Sequence, residues 1–434
     1  MIDNNLLQKF EQKFNENSIN NIIKNAIANV GINDTSIVKE VLNKHTFEFS
    51  TETKKGEITN QKRSGRCWMF SALNVLRVGT MEKLNVETFE FSQAYLQFYD
   101  KLEKANTFLH YIIETKDLPI TDRLVAHIMY GGAEDGGYWN FFVGLATKYG
   151  VVPKEVMPET YHSSDTAILN EVLDLRLKKA ACLIRKSKTI EEAEKIKEDA
   201  LYQVYNICVK ALGLPPKKFT YEYRDKDKKF VRISDITPKE FMEKYAQDDL
   251  LAKVELVQDP REENEKGRLY QIPYTCSVLE HGPYTFLNVT LDELKKATIA
   301  SIKDGAPVWF GCDVGRFSDR KKGILDSDLY DYNNTLTELG EFSKKDRLVN
   351  YSAYMTHAMT FVGVDLDENS KPLMWEVENS WGDEVGKKGI FSMSDKWFDD
   401  HNYSVVVDKK YISEEFKSGF DKDVIVLDYF DPLA

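Results

Sequence analysis

The order of apolar and polar residues changes character along the chain. Near the start, Leu6, Phe10 and Phe14 recur every four residues with charges between them, the spacing of one face of an amphipathic helix. Residues 60–150 read as mainly helical. The stretch 67–78 is a mostly apolar run containing good helix formers. Ser92 can cap a helix in which Tyr95, Leu96, Tyr99 and Leu102 fall at helical spacing. A glycine-rich break, Gly131-Gly132-Ala133-Glu134-Asp135-Gly136-Gly137, precedes another helix with Trp139, Phe142, Val143 and Leu145, and Gly150 is its stop. A second helical block covers 163–213. Thr189 and Glu192 fit a capping box there, and Gly213, Pro215 and Pro216 end it.

Stretches 219–223 and 230–233 alternate around a charged turn and predict a hairpin. Thr237-Pro238-Lys239-Glu240 and Thr290-Leu291-Asp292-Glu293 read as two more helix starts. After Gly305 the texture turns to strands, with candidates at 308–311, 359–364, 374–377, 390–393 and 403–407. Helices first and strands last predict an α+β arrangement of two lobes, with the site expected in the cleft between them.

Composition narrows the classes of function. The 434 residues are 42% hydrophobic and 12% aromatic, enough for a substantial core. The 58 lysines and arginines against 70 acidic residues leave a net charge of −12, which disfavours nucleic acid and membrane surfaces as partners. The basic runs, such as Arg320-Lys321-Lys322, are short and read as solvated turns. Five cysteines, Cys67, Cys182, Cys208, Cys276 and Cys312, are odd in number and widely spaced, without a C-x-x-C. That argues against a disulfide framework and against a structural metal. The first residues lack a basic start followed by an apolar run, and no stretch approaches the roughly 18 apolar residues of a membrane span. The expectation is a cytoplasmic protein with reduced thiols.

Candidate chemistry centres on Asn60-Gln61-Lys62-Arg63-Ser64-Gly65-Arg66-Cys67-Trp68-Met69-Phe70. A cysteine that opens a helix meets unpaired N–H groups and a partial positive charge, a setting that favours the thiolate. Gly65 lets backbone approach a substrate carbonyl, and the Cys67 N–H with the Gln61 amide can bind an oxyanion. Taken alone, Cys67 also reads as a small buried hydrophobe. A thiolate needs a base. Among seven histidines, His357 enters an apolar strand candidate, and Asn379 follows within Glu378-Asn379-Ser380-Trp381-Gly382. An asparagine oxygen can accept from an imidazole N–H and fix its tautomer, and Trp381 can shield that bond. Alone, His357 reads as a core histidine and Asn379 as a turn residue.

Jointly, Gln61, Gly65-Arg66-Cys67-Trp68, His357 and Asn379-Ser380-Trp381-Gly382 resemble the papain-like cysteine peptidases in order and relative placement. Arg63-Ser64-Gly65-Arg66-Cys67-Trp68-Met69-Phe70, Asp135-Gly136-Gly137-Tyr138-Trp139, Lys148-Tyr149-Gly150-Val151-Val152-Pro153 and Asp431-Pro432 further resemble the bleomycin hydrolase and aminopeptidase C branch, over nearly the whole chain. The resemblance implies a papain-like two-lobe fold with a helical insertion. Residues 1–155 form the N-terminal arm and helical lobe, 156–300 the insertion with its hairpin, and 301–434 the sheet-rich lobe and C-terminal arm. It implies that Cys67 attacks as a thiolate, that His357 stabilises it as imidazolium and protonates the leaving amine, that Asn379 orients His357, and that Gln61 helps to hold the oxyanion. Gly65, Trp68, Asp135, Gly136, Gly137, Trp381 and Ala434 are the implied substrate-binding positions. Peptides are the implied partners, no cofactor or metal is implied, and the branch is similar in forming homohexamers.

In that branch the C-terminal arm lies in the cleft and its carboxylate meets the substrate amine. Here the chain reads Tyr429-Phe430-Asp431-Pro432-Leu433-Ala434 and stops some residues sooner than the usual ending. A shorter arm is expected to leave the cleft more open, which tilts the expectation slightly toward oligopeptidase or endopeptidase action over aminopeptidase action. Two rivals stand beside hydrolysis. One is a nucleic-acid-binding protein on a peptidase scaffold, which the net charge disfavours; the other is an acyltransferase using the same thioester logic.

Overall fold

The structure is a computed structural model that describes residues 1–246 and 250–434. Its centre is the helix Cys67–Leu84, which is buried nearly all round, from Trp68 and Met69 to Met81 and Leu84. A helix apolar on every side must be enclosed by other elements. On one side lie Gln93–Glu114 and Trp139–Tyr149, backed by Ala167–Lys186 and Ile190–Leu212, whose apolar residues join the same core. Ser92 caps the first of these by accepting from the Tyr95 N–H at 3.1 Å. Gly150, at φ +76°, ends Trp139–Tyr149 and could not carry a side chain, because a Cβ there would lie 2.4 Å from the Pro238 backbone.

On the other side stands the strand His357–Leu366. It is antiparallel to Val308–Cys312, with His357 opposite Cys312, and to Pro372–Glu378, with Thr360 opposite Glu378. The sheet continues outward through Asn402–Asp408, Lys253–Val257, Tyr284–Asn288 and Arg268–Ile272 on one flank, and through Ile390–Ser394 and two short strands on the other. Its apolar face encloses a second core of Phe310, Phe361, Trp375, Trp397 and Phe398.

Several polar contacts fasten the central helix to this sheet, two of them short. Ser71 Oγ donates to the Met359 carbonyl at 2.6 Å, and the Arg77 guanidinium pairs with Glu378 at 2.6 Å, both side chains being 2% exposed. Breaking so buried a pair by removing one partner costs about 3–5 kcal/mol.

The expected strands after Gly305 are present, each slightly longer than its apolar run, and the hairpin forms as Phe219–Arg224 against Phe230–Ile236. The sheet starts earlier than expected, however. Lys253–Val257, Arg268–Ile272 and Tyr284–Asn288 belong to it although they fall within 156–300, the segment expected to be a helical insertion. Each has only five residues, too few for alternation to stand out, and their partner Asn402–Asp408 is far away in sequence. The capping box at Thr189 is also shifted. Thr189 accepts from the Glu192 N–H, but the Glu192 carboxylate takes the Lys188 N–H at 2.8 Å.

Candidate active site

Cys67 is the first residue of the central helix, so its N–H has no partner within that helix. The loop before it is pinned at every turn. The Gln61 N–H donates to the Ser380 carbonyl at 2.8 Å, Gln61 Oε1 accepts from Ser380 Oγ at 2.7 Å, and Gln61 Nε2 donates to the Ser64 carbonyl at 2.6 Å. Arg66 forks onto Glu159 at 3.0 and 2.7 Å. Gly65 donates its N–H to Asp135 Oδ2 at 2.8 Å, and a Cβ at Gly65 would lie 2.7 Å from that side chain. The same holds at Gly137, where a Cβ would lie 2.6 Å from the Trp68 ring. These glycines let the two loops beside Cys67 close on each other.

His357 Nε2 lies 2.9 Å from Asn379 Oδ1. The Ser380 N–H donates to the same Oδ1 at 2.8 Å, so that atom is the amide oxygen. Nε2 must then carry the imidazole hydrogen, and neutral His357 keeps its lone pair on Nδ1. Trp381 covers the ring at a centroid distance of 4.7 Å and itself lies under the Arg320 guanidinium. Four segments distant in sequence thus meet at one junction.

Burial raises the Cys67 thiol above its ordinary pKa, against the backbone amides of Ala358, Trp68 and Cys67 itself, with Asp135 adding to the rise. Burial also lowers His357 to about 4, against its bond to Asn379 and with the Arg320 charge lowering it further. Burial thus favours the neutral form of each group, opposing the partial charge of the helix N-terminus that favours the thiolate.

Cys67 and His357 open onto one cavity of about 620 Å³. Asp135, Gly136, Gly137 and Ala434 line it, while Gln61, Gly65, Trp68, Asn379 and Trp381 are not among its lining residues. Asp135 reaches the wall with its carboxylate already committed to Gly65, Lys101 and Thr166. Burial opposes its ionisation, but Lys101 and the hydrogen bonds outweigh that and hold it below the usual carboxylate range. Its contribution is to fix the two loops.

Ala434, one of the implied substrate-binding positions, lines this cavity at the end of a shorter arm. The arm is held by several contacts. Asp431 forms a forked, buried pair with Arg261 at 2.8 and 2.9 Å, and Asp259 holds the same guanidinium. Leu433 is buried with Tyr284 and Tyr403 against Tyr138 and Met355. Arg123 pairs with Asp428 at 3.1 Å and lies over the Phe430 ring, which also meets His127. Sequence reasoning missed Arg261, Arg123 and His127, because none sits in a motif that marks it, and it gave Tyr138 no role although Tyr138 lies in the segment Asp135-Gly136-Gly137-Tyr138-Trp139.

A family model described as "Peptidase C1-like family" matches residues 1–434. Aminopeptidase C of Listeria innocua is 40% identical over 431 residues, 99% of this chain and 97% of that protein. Bleomycin hydrolase of Homo sapiens is 38% identical over 401 residues, 90% of this chain and 88% of that protein. The crystal structure of pepw from Lactobacillus rhamnosis superposes with a TM-score of 0.96 at 39% identity, covering 100% of this chain and 98% of that one.

Proposed function

From the premise that the chain belongs to the Peptidase C1-like family and is a cysteine peptidase with the two-lobed papain-like fold, we propose that it removes residues from the free amino ends of peptides. The observation that carries this reading is Ala434, which shares one cavity with Cys67 and His357 at the end of an anchored arm. An arm seated there limits how far a peptide extends past the nucleophile. Relatives named aminopeptidase C and aminopeptidase E fit this reading better than the endopeptidase action expected from the arm's length.

In the proposed mechanism the Cys67 proton passes to His357 Nδ1 as Sγ bonds the scissile carbonyl carbon. Asn379 holds the imidazole so that Nδ1 faces the thiol. The Cys67 N–H and the second N–H of the Gln61 amide, the one not given to Ser64, bind the oxyanion. The intermediate collapses, the C–N bond breaks, and the leaving amine takes the proton from Nδ1. Water then attacks the thioester, giving its proton to His357, and releases the acid and the thiol. No metal enters these steps.

Free thiols throughout suit a reducing compartment such as the cytoplasm. A homohexamer suits the exposed Leu7, Phe10 and Phe14 on the N-terminal helix Asn4–Glu16, which buries none of its residues; light scattering at the mass of a single chain would remove it. The central test compares one fluorogenic peptide with a free or an acetylated amino end, with Cys67→Ala as the blank. Cleavage of the free-amine form alone supports the reading, and equal cleavage of both overturns it.

A further inference from the structure

One face of the sheet carries polar groups that the proposed chemistry does not use. Across the central strands, Ala358 stands opposite Gly311, Gly311 opposite Ser404, and Ser404 opposite Val257; one pleat along, Trp309 stands opposite Val406 and Val406 opposite Glu255. Directly paired residues share a face, as do alternate residues of a strand, so Glu255 and Ser404 lie on the face that presents Trp309, Gly311 and Ala358 to the cavity. Glu255 is 5% exposed. One of its oxygens accepts from Tyr284 Oη at 2.9 Å, and the other has no hydrogen-bond partner. Ser404 Oγ is fully buried and likewise unpartnered, and it stands 2.8 Å from where a Gly311 Cβ would be.

Tyr138 joins this group to the cavity. Its ring stacks on Tyr284 at 4.2 Å and forms part of the cavity wall. With no side chain at Gly311, the Met355 thioether, 3.2 Å from the same Cβ position, and the Trp309 ring, 3.7 Å from it, stand beside Ser404. Met355 lines the cavity and is unbranched and flexible, so it can move aside. A buried acceptor pair beneath a movable cover is costly unless something donates to it.

We infer that Glu255 and Ser404 form the polar floor of a specificity pocket over Gly311 that takes a cationic substrate side chain, that of lysine or arginine. The inference rests on the cavity being the peptide site. Burial raises the Glu255 carboxyl to about 7, against its bond to Tyr284 and the influence of the neighbouring Ser404 hydroxyl. The titratable groups facing it are Tyr138 and Tyr284, both raised by burial and neutral in this range. A lysine ammonium therefore meets a carboxylate above pH 7 and a neutral acid below it, so preference for the cation grows with pH.

The test measures binding to the full-length Cys67→Ala protein, which does not depend on turnover. Peptides carrying lysine or its uncharged counterpart norleucine, at the first or the second position, are titrated by calorimetry at pH 6 and pH 8. The expected result is lysine favoured about tenfold or more at pH 8 in one of the two positions, with the preference shrinking at pH 6. Adding Glu255→Gln is expected to abolish both the preference and its pH dependence while norleucine peptides bind as before. Equal affinity for lysine and norleucine at both pH values overturns the inference, and this reading stands in the Cys67→Ala protein even if Glu255→Gln fails to fold. Equal cleavage of free and acetylated peptides with the lysine preference intact breaks the aminopeptidase reading alone.

Discussion

The junction around Cys67 and the arm ending at Ala434 bound the same cavity and are built on opposite plans. The junction is assembled from short contiguous motifs fixed by backbone N–H donors: Gln61 to the Ser380 carbonyl, Ser380 to the Asn379 side chain, Gly65 to the Asp135 carboxylate. The arm is held by scattered charges and rings, Arg261 on Asp431, Arg123 on Asp428 and Phe430, and Leu433 in an apolar seat. Chemistry needs atoms fixed within a fraction of an ångström, and a rigid backbone lattice supplies that. Control of substrate length needs only an obstacle in the right place, which side-chain anchors can supply from anywhere in the fold.

The sharpest cut through this comparison removes the chemistry and leaves the arm. Cys67→Ala should lower kcat about 10⁶-fold, as loss of a nucleophile does elsewhere, with the melting temperature nearly unchanged. A free-amine peptide should still bind the variant more tightly than its acetylated form, because the arm remains. Turnover by Cys67→Ala near the wild-type rate would place the nucleophile elsewhere.

Next in size is Asn379→Ala, expected to lower kcat roughly 10²–10⁴-fold through loss of the fixed tautomer. Its pH profile separates positioning from mere stability. The wild-type acid limb should lie near pH 4, where burial puts His357, well below the ordinary 6.5. The Asn379 bond raises that value, so its removal should move the limb lower; an unmoved limb would make Asn379 purely structural. The sign for stability follows from the same shift. Folding favours neutral His357, so this contribution is full above pH 6.5 and is lost as pH falls from there through about 4.

The difference in plan also decides what could be read from the sequence. Cys67, His357, Asn379 and Gln61 stand in motifs whose order is itself informative, so the whole junction was legible before the fold. The end of the cavity was not. Arg261 follows Asp259-Pro260 in an unremarkable stretch, and its partner Asp431 lies 170 residues away. The arm's route was not legible either, because length in residues says nothing about the path a segment takes across a surface. The early strands escaped for the same reason: five-residue runs declare themselves only through partners distant in sequence.

Smaller again is the effect of trimming the arm. Removing residues 433–434 takes away the end that lines the cavity and leaves the Asp431–Arg261 pair in place. The free-amine peptide should lose about tenfold to a hundredfold in kcat/KM relative to the acetylated one, because the segment that positions a free end in the cavity is gone. Unchanged discrimination would mean that the amine is read by some other group.

The mildest change tests whether the junction is as rigid as its hydrogen bonds imply. A methyl group at Gly137 would stand 2.6 Å from the centre of the Trp68 indole, and Trp68 is 1% exposed, so the ring has nowhere to go. Gly137→Ala should therefore cost about 1–3 kcal/mol of stability by overpacking. The strain falls on the residue beside Cys67 and on the loop that forms the cavity wall, so kcat/KM should drop for free and acetylated peptides alike. The ratio between them should hold, because the arm's anchors at Arg261 and Arg123 lie elsewhere. A change in that ratio would mean that junction and arm are mechanically one unit, coupled through Tyr138, which packs both against the junction's Phe141 and within the seat of Leu433.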